Sequence, residues 1–137
     1  PVGRLDRPTT GLILFTNDGD LAKKLTHPSS EIKKLYHVVL DKSLSSSDLS
    51  AIRRGLELDD GFIKADQASY VHGASKREVG LELHSGKNRI VRRIFEHLGY
   101  EVVALDRVVF AGLTKKDLPR GHWRHLNQQE INNLSML

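Results

Sequence analysis

The chain has no cysteine among its 137 residues. Disulfides and thiolate metal sites are therefore excluded, which suits a reducing compartment and predicts a cytoplasmic protein. Aromatic residues make up only 6% of the chain, with one tryptophan, and proline occurs four times. Neither a proline-rich linker nor any other low-complexity tract is present. No apolar run approaches the roughly 20 residues that span a bilayer. No basic stretch followed by an apolar one marks a secretory signal. Acidic residues are in the minority, 17 against 21 Lys plus Arg, giving a net charge of +4. That mild excess favours a polyanionic partner without identifying one.

What is present reads as an ordinary globular chain, 39% apolar and 28% charged, long enough for one domain with a real core. It begins at Pro1 rather than methionine, which predicts a natural start upstream and a chain that is one piece of a longer protein. Leu12 to Thr16 is a short apolar run between Gly11 and Asn17 and predicts a buried strand. Asp18 or Asp20 caps a helix that runs to about Leu25, and His27-Pro28 ends it. Lys34 to Leu40 has the β-branched and aromatic content of a strand. Ser45 and Gly55 bracket a second helix. Asp59-Asp60-Gly61 turns between short strands at Leu56–Leu58 and Phe62–Ala65. Ala68 to Val71, Glu78 to Leu83 and about Glu101 to Val109 follow as strands, with helices at Ile90–Leu98 and near Gln128–Leu134. Without a regular βα alternation, the pattern predicts an α+β fold with a mixed, mainly antiparallel sheet and flanking helices.

Several residues carry chemical interest. Asp6 stands between Arg4 and Arg7, and a carboxylate among cations stays ionised and can act as a nucleophile. The same residue before Pro8 and Thr9 also fits an ordinary turn. Tyr36 lies within a strand, where its ring either packs or offers a stacking surface. In the helix after Gly86, Val91, Ile94, Phe95 and Leu98 form an apolar stripe. Arg89, Arg92, Arg93 and Glu96 are left opposite it, with Lys87 and Asn88 just before. An arginine-rich face is either solvated charge or a phosphate-binding surface. Lys115, Lys116, Arg120 and Arg124 could extend a basic surface. His122 and His125 lack the partners of a zinc site, and Gly80 with Gly86-Lys87-Asn88 has the wrong spacing for a nucleotide-binding loop. No metal is expected.

Three segments in order carry a family resemblance. The first is Gly3-Arg4-Leu5-Asp6, continuing through Gly11 and the apolar run to Thr16-Asn17-Asp18-Gly19. The second is Lys34-Leu35-Tyr36-His37-Val38. The third is Gly86-Lys87-Asn88-Arg89-Ile90-Val91-Arg92-Arg93-Ile94-Phe95. Together they resemble the motifs of the RNA pseudouridine synthases, in the branch typified by ribosomal small-subunit pseudouridine synthase A. The segment from Gly99 to Trp123 resembles that family's closing segment. One position departs from the pattern, Ile90 standing where relatives carry glutamine.

The resemblance implies an isomerase that converts a uridine of RNA into pseudouridine, most directly in ribosomal RNA and by preference that of the large subunit. It implies residues 1–137 as the catalytic domain, without its N-terminal part and any upstream RNA-binding domain, and with a cleft across the sheet. Asp6 is then the catalytic carboxylate, Tyr36 stacks on the base and is a candidate for proton transfer at carbon 5, and Arg92 pairs with Asp6. Arg4, Arg7, Lys87, Asn88, Arg89 and Arg93 are the expected RNA contacts. No cofactor is required, and a monomer is the expected state. The alternative is a non-catalytic RNA-binding module that keeps the fold and the basic face. An aspartate-dependent hydrolase would need a second acid or base, and no partner carboxylate stands in the motif.

Overall fold

The computed structural model describes residues 1–137. In chain order its elements are β1 (Thr10–Gly11), α1 (Gly19–Thr26), β2 (Lys34–Leu40), α2 (Ser46–Arg54), β3 (Leu56–Leu58), β4 (Gly61–Ile63), β5 (Gln67–Tyr70), β6 (Glu78–Leu83), α3 (Ile90–His97), β7 (Val102–Phe110), β8 (Leu113–Thr114) and α4 (Gln128–Ser135). A single 3-10 turn at Pro28–Ser30 follows α1. No helix is long and apolar enough to cross a membrane.

The helix ends are written locally. Asp18 accepts a hydrogen bond from the Leu21 amide at 3.1 Å and Ser45 from the Asp48 amide at 3.2 Å, so each polar side chain satisfies an amide the first helical turn leaves unpaired. Asn127 and Glu130 form a reciprocal capping box at the start of α4.

The strands assemble as β1-β7-β2-β6-β5, with β8 pairing β7, while β3 and β4 form a separate hairpin. Every pairing in the main sheet is antiparallel except that of β1 with β7. The α+β, mainly antiparallel architecture follows from short connections between sequence neighbours such as β5–β6 and from the absence of repeated crossover helices. Strand alternation sets the layers. Val79, Leu81 and Leu83 of β6 and Val38 and Leu40 of β2 are buried beneath α2 and α3, which contribute Leu49, Ile52, Val91, Ile94 and Phe95. A smaller core gathers Val2, Leu25, Ile32, Phe110 and Leu134, tying α1 and α4 to the other end of the sheet.

The run Leu12–Thr16 is not the buried strand its composition predicts. Only Thr10 and Gly11 pair with β7, Leu14 makes an isolated bridge to Val2, and Phe15 is 68% exposed. With no further strand beyond β1, the run has no second neighbour to bury it, and the Asp18 cap turns the chain into α1 at once. The strand expected at Phe62–Ala65 is only the short β4, and β8 forms where no strand is expected.

Candidate active site

The N-terminal segment, the ends of β2 and β7, the loop before α3 and the β3–β4 hairpin enclose an open cleft of about 910 Å³. Strand geometry decides which side chains enter it. Tyr36 of β2 stands opposite Arg107 of β7 across the antiparallel pair. Lys34 and Tyr36 lie two residues apart and so share a face. That is the face on which Val38 and Leu105 enter the main core, so the cleft is the continuation of the core beyond its last apolar layer. Asp6 reaches the same space from a turn in which its carbonyl accepts the Thr9 amide at 2.9 Å. The turn leaves the carboxylate unengaged, because the backbone makes the turn and the side chain takes no part in it. The half-buried Asp6 carboxylate makes no hydrogen bond and no ion pair within 4.0 Å.

Arg92 is not on a solvated helix face. Its side chain is only 9% exposed and lines the cleft. Nη1 donates a long 3.5 Å bond to the Val102 carbonyl, and the buried Nε has no partner. The expected ion pair between Arg92 and Asp6 is not formed: both line the cleft, but Arg92 is drawn to β7 instead. An arginine left so incompletely satisfied is matched to an anion that the cleft itself does not supply.

Arg107 is the residue that sequence reasoning missed. It is 3% exposed, and its Nε and Nη2 both donate to the Leu12 carbonyl, at 3.0 and 2.6 Å. Its guanidinium carbon lies 4.5 Å from the Phe110 ring centre, and no carboxylate lies within 4.0 Å. Gly11 permits this: at φ +124 it passes so close to β7 that a Cβ would lie 2.3 Å from the Arg107 carbonyl oxygen. Burial pushes the Tyr36 hydroxyl above the usual tyrosine value, with the Asp6 charge adding to the rise. The positive charge of Arg107 opposes it. Burial, followed by repulsion from Arg107, pushes Lys34 below the usual lysine value. The motif-like Leu105-Asp106-Arg107-Val108 was visible in the sequence, but nothing in it reveals that Arg107 faces Tyr36.

The remaining expected contacts divide into two groups. Arg4, Lys87, Asn88 and Arg89 line the cleft, whereas Arg7 and Arg93 do not. Arg89 also lies 3.5 Å from Glu96, and its left-handed backbone, φ +54, turns the chain into α3. Arg93 pairs with Asp60 at 2.9 Å, and Lys87 donates to the Asp60 carbonyl at 3.2 Å. Of the C-terminal cations, Lys115 is engaged by Asp106 and Arg124 by Glu130. Among the groups lining the cleft, Arg4, Lys34, Lys87, Arg89, Arg92 and Arg107 face only two carboxylates, Asp6 and Glu31. The arrangement can hold a polyanion and present one free carboxylate and one tyrosine to it.

Residues 1–97 match the family model described as RNA pseudouridylate synthase. The chain is 38% identical to the ribosomal large subunit pseudouridine synthase B of Bacillus subtilis, over 100% of this chain and 57% of that protein. It is 36% identical to the Haemophilus influenzae protein of the same name, over 99% and 39%. An RNA pseudouridine synthase of Aquifex aeolicus is 35% identical over 96% and 53%. A crystal structure of a pseudouridylate synthase superposes with a TM-score of 0.86 at 31% identity, covering 97% of this chain and 58% of that one. The chain therefore spans about half the length of the relatives it matches, and it belongs to the RNA pseudouridylate synthase family.

Proposed function

We propose that residues 1–137 form the catalytic domain of a protein that isomerises a uridine of ribosomal RNA, of the large subunit by preference, to pseudouridine. One observation carries the reading. Asp6, Tyr36 and Arg92, far apart in sequence, line one cation-rich cleft in a chain of this family. The names of the Bacillus and Haemophilus relatives supply the preference for the large subunit. The protein acts as a monomer in the cytoplasm, where its RNA is found.

The reaction breaks the bond from ribose C1′ to uracil N1, joins C1′ to carbon 5, and moves the carbon 5 proton to solvent while N1 gains one. Uridine reaches the cleft by leaving its stack. Tyr36 supplies the surface on which the base lies, a contact worth about 1–3 kcal/mol. Asp6, free of internal partners, attacks the sugar or removes a proton from it. The Arg92 guanidinium holds negative charge near the reacting ribose. Tyr36 relays the carbon 5 proton towards solvent, and Arg107, its partner across β2 and β7, places a positive charge near the hydroxyl that favours its deprotonated form. Arg4, Lys87, Asn88 and Arg89 meet phosphates on either side of the target, with Arg7 outside the cleft on the same N-terminal segment.

The test follows tritium released from carbon 5 of labelled ribosomal RNA by the full-length protein and its Asp6→Asn variant. Release by the native protein alone supports the reading. Binding without release by either favours an RNA-binding module, and release by both removes Asp6 from the chemistry.

A further inference from the structure

Three aromatic rings stand well clear of the cores: Phe15, Phe62 and Trp123, at 68%, 59% and 78% exposure. Phe15 and Trp123 border a separate apolar groove, and only Phe62 lines the cleft of Asp6. A single exposed apolar residue is by itself unremarkable in a soluble protein. Phe62 differs in how it is held.

The alternation of β4 sends Ile63 against the main core and Phe62 the other way, across the hairpin from Glu57. The ring is nevertheless seated. It rests on Gly55, where a Cβ would lie 2.0 Å from Phe62 Cζ and 2.5 Å from Cε2. Only glycine at that point leaves room for it, and φ +109 there suits glycine as well. The hairpin that carries the ring is also fastened. The Asp60 carboxylate accepts from Arg93 and the Asp60 carbonyl from Lys87. The turn is thereby tied to the loop and helix that carry Asn88, Arg89 and Arg92. A ring clamped at one side and open at the other, on the wall of a cationic cleft, has the form of a stacking surface.

We infer that Phe62 is the platform for an unpaired RNA base next to the target uridine. The inference rests on the reading of the cleft as the uridine site. When one nucleotide leaves its stack, its neighbour loses a stacking partner, and an aromatic ring replaces that partner whatever the base. Tyr36, half-buried deep in the cleft, takes the target; Phe62, exposed at the rim, takes the neighbour. The surrounding lysine and arginine side chains suit the phosphates between the two.

The experiment uses the full-length protein with Phe62→Leu, which keeps an apolar side chain but no π-face, and Phe62→Trp, which restores one. Steady-state tritium release from ribosomal RNA is expected to show kcat/KM reduced about 5- to 150-fold in Phe62→Leu. The effect is expected in KM more than in kcat, and Phe62→Trp is expected to recover most of it. In parallel, a short single-stranded RNA with a central uridine flanked by 2-aminopurine is titrated with each protein. Native protein quenches the probe and Phe62→Leu leaves it bright. A kcat/KM for Phe62→Leu within twofold of native, or equal quenching by both, overturns the inference. Absence of tritium release by native protein counts against the catalytic reading instead, and the fluorescence arm still decides the platform.

Discussion

Arg92 should be held at a cost to stability, and replacing it should separate folding from turnover. The residue is only 9% exposed, with a single 3.5 Å bond and a buried, unpartnered Nε. A buried donor without an acceptor costs about 1–3 kcal/mol, while one poor hydrogen bond returns only about 0.5–1 kcal/mol. Arg92→Met keeps the aliphatic stem against the core and removes the charged fork. The expected gain is therefore about 0.5–2 kcal/mol. For 137 residues, the usual unfolding entropy per residue converts 1 kcal/mol to about 3.5 °C, so Tm should rise by about 2–7 °C. Turnover should fall at least about a hundredfold, as happens when a preorganised charge is removed from a reaction centre. Differential scanning calorimetry and the tritium assay measure the two effects on the same preparation. A fall in Tm of more than a few degrees would mean that Arg92 holds the fold. Near-native turnover would remove it from the site.

Arg107→Gln should lower kcat by about 10- to 100-fold with little change in KM, because a misplaced reacting group costs rate before it costs affinity. The same variant should push the Tyr36 hydroxyl still higher, since the opposing cation is gone, and tyrosinate absorbance reads that shift. Unchanged kcat and titration would refute the positioning role. Gly11→Ala forces a Cβ into the β7 backbone at a φ of +124 and should cost about 3 kcal/mol or more in urea denaturation. A loss below 1 kcal/mol would show that β1 and β7 separate easily. Glu130 is held down to about 2, from a usual 4.5, first by hydrogen bonding to Arg124 and then to the Asn127 amide. Its contribution to α4 is present above pH 4.5 and is lost as pH falls towards 2. Amide exchange in Gln128–Ser135 should quicken over that window, and Glu130→Gln should flatten the dependence.

Most of the secondary elements and the motifs of the family were legible in the string of residues. Ser45 and Gly55 bounded α2, and of Asp18 and Asp20 it is Asp18 that caps α1, because capping involves groups only a few residues apart. β2 and β6 were legible over their whole lengths, β2 from its β-branched and aromatic residues and β6 because alternation along a strand reports a single buried face. Asp6 and Tyr36 stood out through ordered motifs, and the structure brings both to the same cleft. The capping box of α4 was equally local, and Asn127 followed three residues later by Glu130 was a signal passed over. Tertiary structure decided what depends on neighbours remote in sequence. Leu12–Thr16 had the composition of a buried strand but no second strand beside it, so Ile13 and Phe15 are exposed at that vacant edge while Leu12 and Leu14 pack on the smaller core. The helical stripe placed Arg92 opposite the core, yet β7 closes over it and makes it a buried, half-satisfied cation. Arg107 reaches the cleft only because strand register set it against Tyr36, 71 positions away in the numbering. Phe62 gained its place because Gly55 left a hollow and Asp60 reached Arg93. Periodicity and capping are short-range and survive in a string of letters, whereas burial and pairing are fixed by whichever surface the fold brings against each residue.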